Sequence, residues 1–499
     1  MLLFLSLALA DDSGLPAEAR AADVIPSDKG ADPLRFLGVF TTRGILTDVV
    51  TTNPLVNGQV VGRLGGTNST TTENIGAAFT EERLAAFLTW TPDILDGRAA
   101  LDAAFEIDFA WGDQSYASGG NTGGAFGADQ VNLQTRRLDA RVVVIPGHTI
   151  VAGLQFVGDS VNDPGTAKLD DLTRSGGRLM FFGSEAAGVA AYGRLDTRGG
   201  EVLRYRAGVF TLYEQAFADG DDVTLFVADV QLKPSYATRV GLHGWFLRDR
   251  AGGAAGIAGS GPSSALSELQ GGPRLDFRST DDELAPEVDT DLGWIGLDAG
   301  YNPGLDLGPV GVHAVVVGNV GRIYVAGHPD IDVSGGLADV EGRWRYTRGS
   351  GSVARVELLA STGDTDGDEV YAGVLTANSW GIVGAVYATH GCYLLFPDTG
   401  AVNRAISVVP DVSGAGSGLV AATGSLGYDL VADRATLTVG GGYAQTAAGE
   451  VLGAEANARL SGRPFPLGTL SLVGAGVFAT PQPVTPWTVL LTFDWLLLG

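Results

Sequence analysis

Ionisable side chains recur at every second position along many stretches of this chain, the spacing that gathers them on one face of a β-strand. In Leu101 to Trp111, the acids Asp102, Glu106 and Asp108 oppose Leu101, Ala103, Phe105, Ile107, Phe109 and Trp111. Two carboxylates at this spacing, such as Glu106 and Asp108, could share a wet site as acid and base. A charged wall also brings such neighbours together without catalysis, and that reading is preferred. Arg137, Asp139 and Arg141 alternate with Leu138, Ala140, Val142 and Val144. Arg204 and Arg206 alternate with Leu203, Tyr205, Ala207 and Val209, and Asp229 and Lys233 with Phe226, Ala228, Val230 and Leu232. Asp339, Glu341, Arg343 and Arg345 oppose Val340, Gly342, Trp344 and Tyr346, while Glu455 and Arg459 oppose Leu452, Ala454, Ala456, Ala458 and Leu460. Arg239, Arg355, Glu357 and Asp494 complete the set. The two signs nearly balance. Facing rows of opposite charge impose a transverse field, which orders water and selects small hydrophilic solutes by size and polarity.

Other strings that could carry chemistry fall away one by one. Gly158-Asp159-Ser160 follows the apolar run Leu154 to Val157, as the nucleophile block of GDSL-type esterases does. A serine nucleophile needs a base, and no histidine here has an Asp three residues before it. Ser160 reads as a loop residue after a strand. Asp364, Asp366 and Asp368 have the spacing of the first EF-hand ligands, but Glu369 stands where that loop requires Gly and Leu375 where it requires the bidentate acid. The three acids keep a weak surface calcium site open, and solvated loop charge explains them better. The five histidines, His148, His243, His313, His328 and His390, include no pair at helix-ligand spacing. Cys392 is the only cysteine, which excludes an intramolecular disulfide. No cofactor is called for, and no constellation supports an enzyme.

The elements that must position the charges are strands. Trp487 to Leu498 is the cleanest: Trp487, Val489, Leu491, Phe493, Trp495 and Leu497 form one apolar face, with Thr488, Thr492 and Asp494 opposite. Less polarised strands are expected at Ile150 to Val157, Ala237 to Arg248, Gly308 to Val320, Val353 to Ser361, Ala435 to Ala444 and Leu467 to Phe478. Weaker runs surround Arg35, Arg83, Gly177, Val189, Trp294, Trp380 and Gly418. The total is about 18, with 16 to 20 as the range, and single-chain barrels favour even counts. Pro146-Gly147, Gly199-Gly200 and Lys233-Pro234 mark tight turns, whereas 44–80, 112–132, 158–176, 249–291, 320–337, 362–378 and 391–416 read as long connections. A barrel this wide cannot be filled by side chains alone, so its interior is either a channel or a lumen blocked by inward loops.

Composition agrees. The 499 residues include 74 glycines and 45 % apolar residues, which excludes wholesale disorder. The formal net charge of -25 excludes nucleic acid as a partner, since phosphate neutralisation needs a basic surface. No apolar run approaches the roughly 18 residues of a spanning helix. Met1 to Ala10 is apolar and ends in Ala8-Leu9-Ala10, as a secretory signal does, without the basic residues that usually precede the apolar run, so the start is expected to be truncated or misplaced. Residues 11–34 read as a flexible acidic lead-in, and 35–499 as one membrane barrel.

Small residues mixed with bulky ones on the apolar faces, with Trp111, Trp344, Tyr346, Trp487 and Trp495 near strand ends, suit lipid and its interfaces. On these features the chain resembles Gram-negative outer-membrane β-barrel proteins of the porin type from about Arg35 to Gly499. The terminal strand is the most specific part, although Gly499 stands where such families usually keep an aromatic. Ser361-Thr362-Gly363-Asp364, the acidic loop after it and the later Phe396-Pro397 loosely resemble alginate-export-type barrels, with no substrate carried over. The resemblance implies an all-β, single antiparallel transmembrane barrel with short periplasmic turns and long extracellular loops. It further implies contact with outer-membrane lipid and lipopolysaccharide, handling by the barrel assembly machinery, and trimers or monomers as alternative states. The expected function is passive diffusion of small hydrophilic solutes. The alternative is a non-conducting surface barrel that acts as adhesin or anchor through its acidic loops.

Overall fold

The computed structural model describes residues 34–48, 57–60, 77–111, 132–158, 182–197, 200–213, 222–250, 288–302, 304–327, 329–347, 349–364, 370–375, 377–378, 391–396, 398, 404–409, 412, 414, 416–480 and 485–498. The expected signal, nearly all of the acidic lead-in, Ser160, Asp366, Asp368 and Gly499 lie outside them. Eighteen antiparallel strands form one closed barrel. They are β1 (Leu34–Thr47), β2 (Ala77–Trp90), β3 (Ala99–Trp111), β4 (Asn132–Ile145), β5 (His148–Gly158), β6 (Phe182–Thr197), β7 (Gly200–Tyr213), β8 (Val223–Leu232) and β9 (Thr238–Asp249). The second half comprises β10 (Val288–Tyr301), β11 (Val310–Val325), β12 (Ile331–Arg345), β13 (Val353–Ser361), β14 (Leu419–Val431), β15 (Ala435–Thr446), β16 (Val451–Phe465), β17 (Gly468–Phe478) and β18 (Trp487–Leu498). Each strand pairs with its neighbours in the chain, and β18 returns to β1 in register from Leu37↔Leu498 to Thr47↔Thr488. That last ladder removes the sheet edge, the condition for crossing lipid with strands.

The period of two sorts side chains sharply. Trp294 is fully buried while Ile295, its neighbour, is 63 % exposed; Val317 is 2 % exposed and Val316 56 %. The outward side carries Leu242, Phe246, Ile295, Leu297, Val312, Val316, Val320, Val340 and Trp344, which together make an exposed apolar belt. From Val310, which faces Trp344 across the β11–β12 ladder, to Val320 the belt rises about 25 Å at the usual strand tilt, the thickness of an apolar membrane band. Just above it, Arg248, Asp291, Arg322 and Asp332 lie opposite one another in register across β9 to β12 and point outward, where charge meets headgroups rather than acyl chains.

One rim is built of short turns. At Gly147 the backbone has φ +80°, and a Cβ there would stand 3.1 Å from the Arg194 carbonyl oxygen, so glycine fits where a larger residue is strained. The other rim carries the long connections 48–76, 112–131, 159–181, 250–287 and 362–418. The expected long loop at 320–337 is absent: β11 and β12 run through it, because Ile323, Val325, Val333 and Leu337 keep the inward alternation while Arg322, Tyr324 and Asp332 point out. The weak runs expected near Gly177 and Trp380 lie outside the described residues; β5 pairs directly with β6 and β13 directly with β14. The expected connections 362–378 and 391–416 are therefore parts of one.

Placing a cation on the belt tests this orientation. Val316→Arg, outward and near mid-belt, should cost about 2–4 kcal/mol of folding into bilayers, read from denaturant titration in vesicles. An unchanged midpoint would mean that this face does not meet lipid.

Candidate functional site

Register aligns one inward polar side chain per strand into a row. Tyr192, Arg206, Asp229 and His243 lie successively opposite one another on β6 to β9. Arg206 donates from Nε and Nη2 to Asp229 Oδ2, both at 2.6 Å. Asp229 Oδ1 accepts from Trp245 Nε1 at 2.8 Å and lies 2.7 Å from His243 Nδ1, while His243 Nε2 lies 2.7 Å from Asp298 Oδ1. The ring thus stands between two carboxylates, one at each nitrogen. His313 Nε2 stands 4.0 Å from Asp298 Oδ2 and faces Glu341 across the β11–β12 ladder. Glu341 receives Arg343 through two bonds of 2.6 and 3.0 Å, and Arg355 Nε at 2.8 Å.

The belt continues around the other side. Asp102 accepts from Thr89 Oγ1 at 2.6 Å and lies 3.2 Å from both Arg137 and Arg141, and Arg137 also donates to Asp139. Glu106 meets Arg83 at 3.2 Å and Arg136 at 3.5 Å. Asp494 accepts from Thr41 Oγ1 at 2.8 Å, and Arg459 donates to Ser471 Oγ at 3.0 Å. Buried ions demand such pairing, because removing one partner strands the other without water.

The expected charged residues thus fall on one face, though not as independent charges. Arg204 is buried opposite Arg194, Arg239 and Asp339 are buried, Glu357 is buried opposite Glu341, and Lys233 stands half-buried at the short-turn rim. Arg345 donates to the Leu305 carbonyl at 3.0 Å. The Asp108 side chain lies outside the described residues, and Asp364 is buried. Arg43, Arg83, Arg136, Asp298 and His313 join the belt without having stood out in the sequence. Arg83 sits in Glu81-Glu82-Arg83, where both parities are charged. Arg136 turns inward beside Arg137 because the β3–β4 pairing shifts register between Ala104 and Phe105, which breaks the period that would have found it. Among the described residues no group of three or more His, Cys, Asp or Glu is gathered to hold a metal ion.

The connection between β13 and β14 folds into the barrel. Tyr371, Val374, Leu375, Leu394, Leu395, Phe396, Val408, Val409 and Val412 pack against inward Val227, Trp245, Leu247, Leu292 and Trp294. Polar anchors fix it to the wall. Trp294 Nε1 donates to the Leu375 carbonyl at 2.9 Å, and the Leu375 amide to Asn319 Oδ1 at 3.2 Å. Arg43 Nη1 reaches Asp398 Oδ2 at 2.6 Å, and Ser361 Oγ donates to the Val412 carbonyl. Glu455 accepts from the amides of Tyr393, Leu394 and Leu395 at 2.7–3.1 Å. Burial, with Glu455 and Glu357 nearby, pushes the Cys392 thiol well up.

No family model matches the sequence, and no curated protein matches it. The structure is similar to a BenF-like porin from Pseudomonas fluorescens Pf-5, with TM-score 0.51 and 12% identity over 94% of this chain and 99% of that one. It is also similar to Pseudomonas aeruginosa OccK2 (OpdF) in complex with glucuronate, with TM-score 0.50 and 11% identity over 93% of this chain and 98% of that one. The chain has the fold of an outer-membrane porin. Within that porin fold, the wall holds a belt of paired charge and a long connection folded into the interior.

The network around Asp229 gives a stability test. Asp229→Ala takes a buried charge partner from Arg206 and from His243 and should destabilise the barrel by about 3–5 kcal/mol; Arg322→Ala, which removes a half-exposed outer pair, should leave the denaturation midpoint nearly unmoved. Equal effects would remove the belt from its structural role.

Proposed function

We propose that this barrel is an outer-membrane channel through which small hydrophilic solutes diffuse passively down their gradient. The observation that carries the reading is the inward belt of paired charge on an 18-strand wall, too wide to be filled by its own side chains. The inward connection narrows this interior, so passage is selective by size. Arg194 on β6, Arg204 and Arg206 on β7 and Arg239 on β9 project to the inner face, where they attract and orient anionic groups. Facing carboxylates such as Asp229 and Asp298 limit affinity, so that a solute can leave as well as enter. OccK2 was solved with glucuronate, a small hydrophilic acid, which supports this solute class. Outer-membrane lipid and lipopolysaccharide would surround the apolar belt, and the barrel assembly machinery would receive β18; assembly as a homo-oligomer is compatible with the outer face.

A second reading is favoured by the apolar packing of the inward connection against the wall: a sealed barrel that displays its acidic loops as an adhesin or anchor. Planar-bilayer recording separates the two. Refolded protein should give discrete conductance steps, and Arg204→Ala with Arg239→Ala should shift the reversal potential under a salt gradient toward cations. Silence in the bilayer would remove the channel, and an unmoved reversal potential would remove these arginines from the solute path.

A further inference from the structure

The mid-strand run Gly440-Gly441-Gly442 in β15 weakens a strand unless something must come close to it. Something does. A Cβ on Gly442 would lie 2.8 Å from Cys392 Sγ, and one on Gly440 3.1 Å from the Gly391 carbonyl oxygen, so residues 391 and 392 rest directly on the backbone of the wall. On the adjoining strand β16, Asn457 Nδ2 donates to that Gly391 carbonyl at 2.5 Å and to Glu455 Oε1 at 2.7 Å. Glu455 is 4 % exposed, and its two oxygens collect three successive amides: Tyr393 at 2.8 and 3.1 Å, Leu394 at 2.9 Å and Leu395 at 2.7 Å. Successive amides converging on one point make an anion seat, here filled by the chain's own carboxylate.

We infer that residues 391–396 form a detachable clasp, that Glu455 is the latch holding it against β15 and β16, and that its three amides take a small carboxylate in place of Glu455 when that side chain is withdrawn. Any effect of the clasp on passage rests on the channel reading above, whereas its docking does not. A glutamine at 455 would keep the shape but offer one acceptor oxygen and turn an NH2 group toward amides that also donate. A free carboxylate fits the seat once the side chain is removed, because the donors are backbone groups fixed by the clasp itself.

Cys392, the sole cysteine, reports on the clasp from within it. Full-length protein folded in vesicles is reacted with a small neutral maleimide at neutral pH. In the wild type labelling should be slow, since the thiol is buried and held protonated. Glu455→Gln and Glu455→Ala should each speed it by about ten-fold or more, the scale of one lost hydrogen bond to a charged group. Added formate should slow the Glu455→Ala reaction in a saturable way, and chloride should not. Gly442→Val should also speed labelling by lifting the clasp off its bed, with no rescue by formate; circular dichroism checks that each variant keeps its strands. Wild-type labelling as fast as in denatured protein, equal rates in wild type and Glu455→Gln, or no formate effect on Glu455→Ala would each overturn the assignment. Because labelling needs no ion flow, a barrel that fails to conduct leaves this result standing.

Discussion

The ladder between β1 and β18 is the constraint from which the rest follows. In hydrocarbon an unpaired strand edge leaves amides and carbonyls without partners, at several kcal/mol each, so the sheet must close or stay out of the membrane. Closure of eighteen strands divides every strand into a face that meets lipid and a face that meets whatever fills the interior. The chain meets the first demand with Leu, Val, Ile and aromatics, of which Ile295 and Val316 are the plainest cases. The second demand is harder, because a wall this wide cannot be packed by its own side chains.

Two solutions operate inside. Toward the short-turn rim, acids and arginines neutralise one another across strands, as in the path from Arg206 through Asp229 and His243 to Asp298. Toward the long-loop rim the wall turns apolar inward as well, and the connection between β13 and β14 supplies the packing partner. The same wall strands serve both: β9 carries His243 in the polar belt and Trp245 and Leu247 beside the inward connection, and β10 carries Asp298 and Trp294. Solutes would meet a narrowed and charged passage, not a uniform pipe.

Much of the wall was legible because polarity and period agreed. β3, β12, β16 and β18 alternate a charged face with an apolar one, and nothing but a two-faced strand accounts for that. Legibility failed where the two cues parted. In β8 to β11 Val227, Leu247, Trp294 and Val317 point inward, so apolar residues occupy both faces and alternation no longer says which side is lipid. The interior connection shows the same limit from the other direction, since Leu394-Leu395-Phe396 reads as any short apolar run. Glu455 shares the charged face of β16, but nothing local to it tells that its partners are backbone amides some sixty positions earlier in the chain. The triple glycine of β15 was the available signal, as a place kept clear for a close approach.

A barrel with a narrowed polar passage and a barrel sealed by its inward connection differ most directly in what they admit. Liposome swelling with uncharged polyols of increasing size measures this without reference to ion selectivity. The account predicts rapid swelling with the smallest polyols, falling steeply as solute size grows. Swelling no faster than in protein-free liposomes for every solute would contradict it.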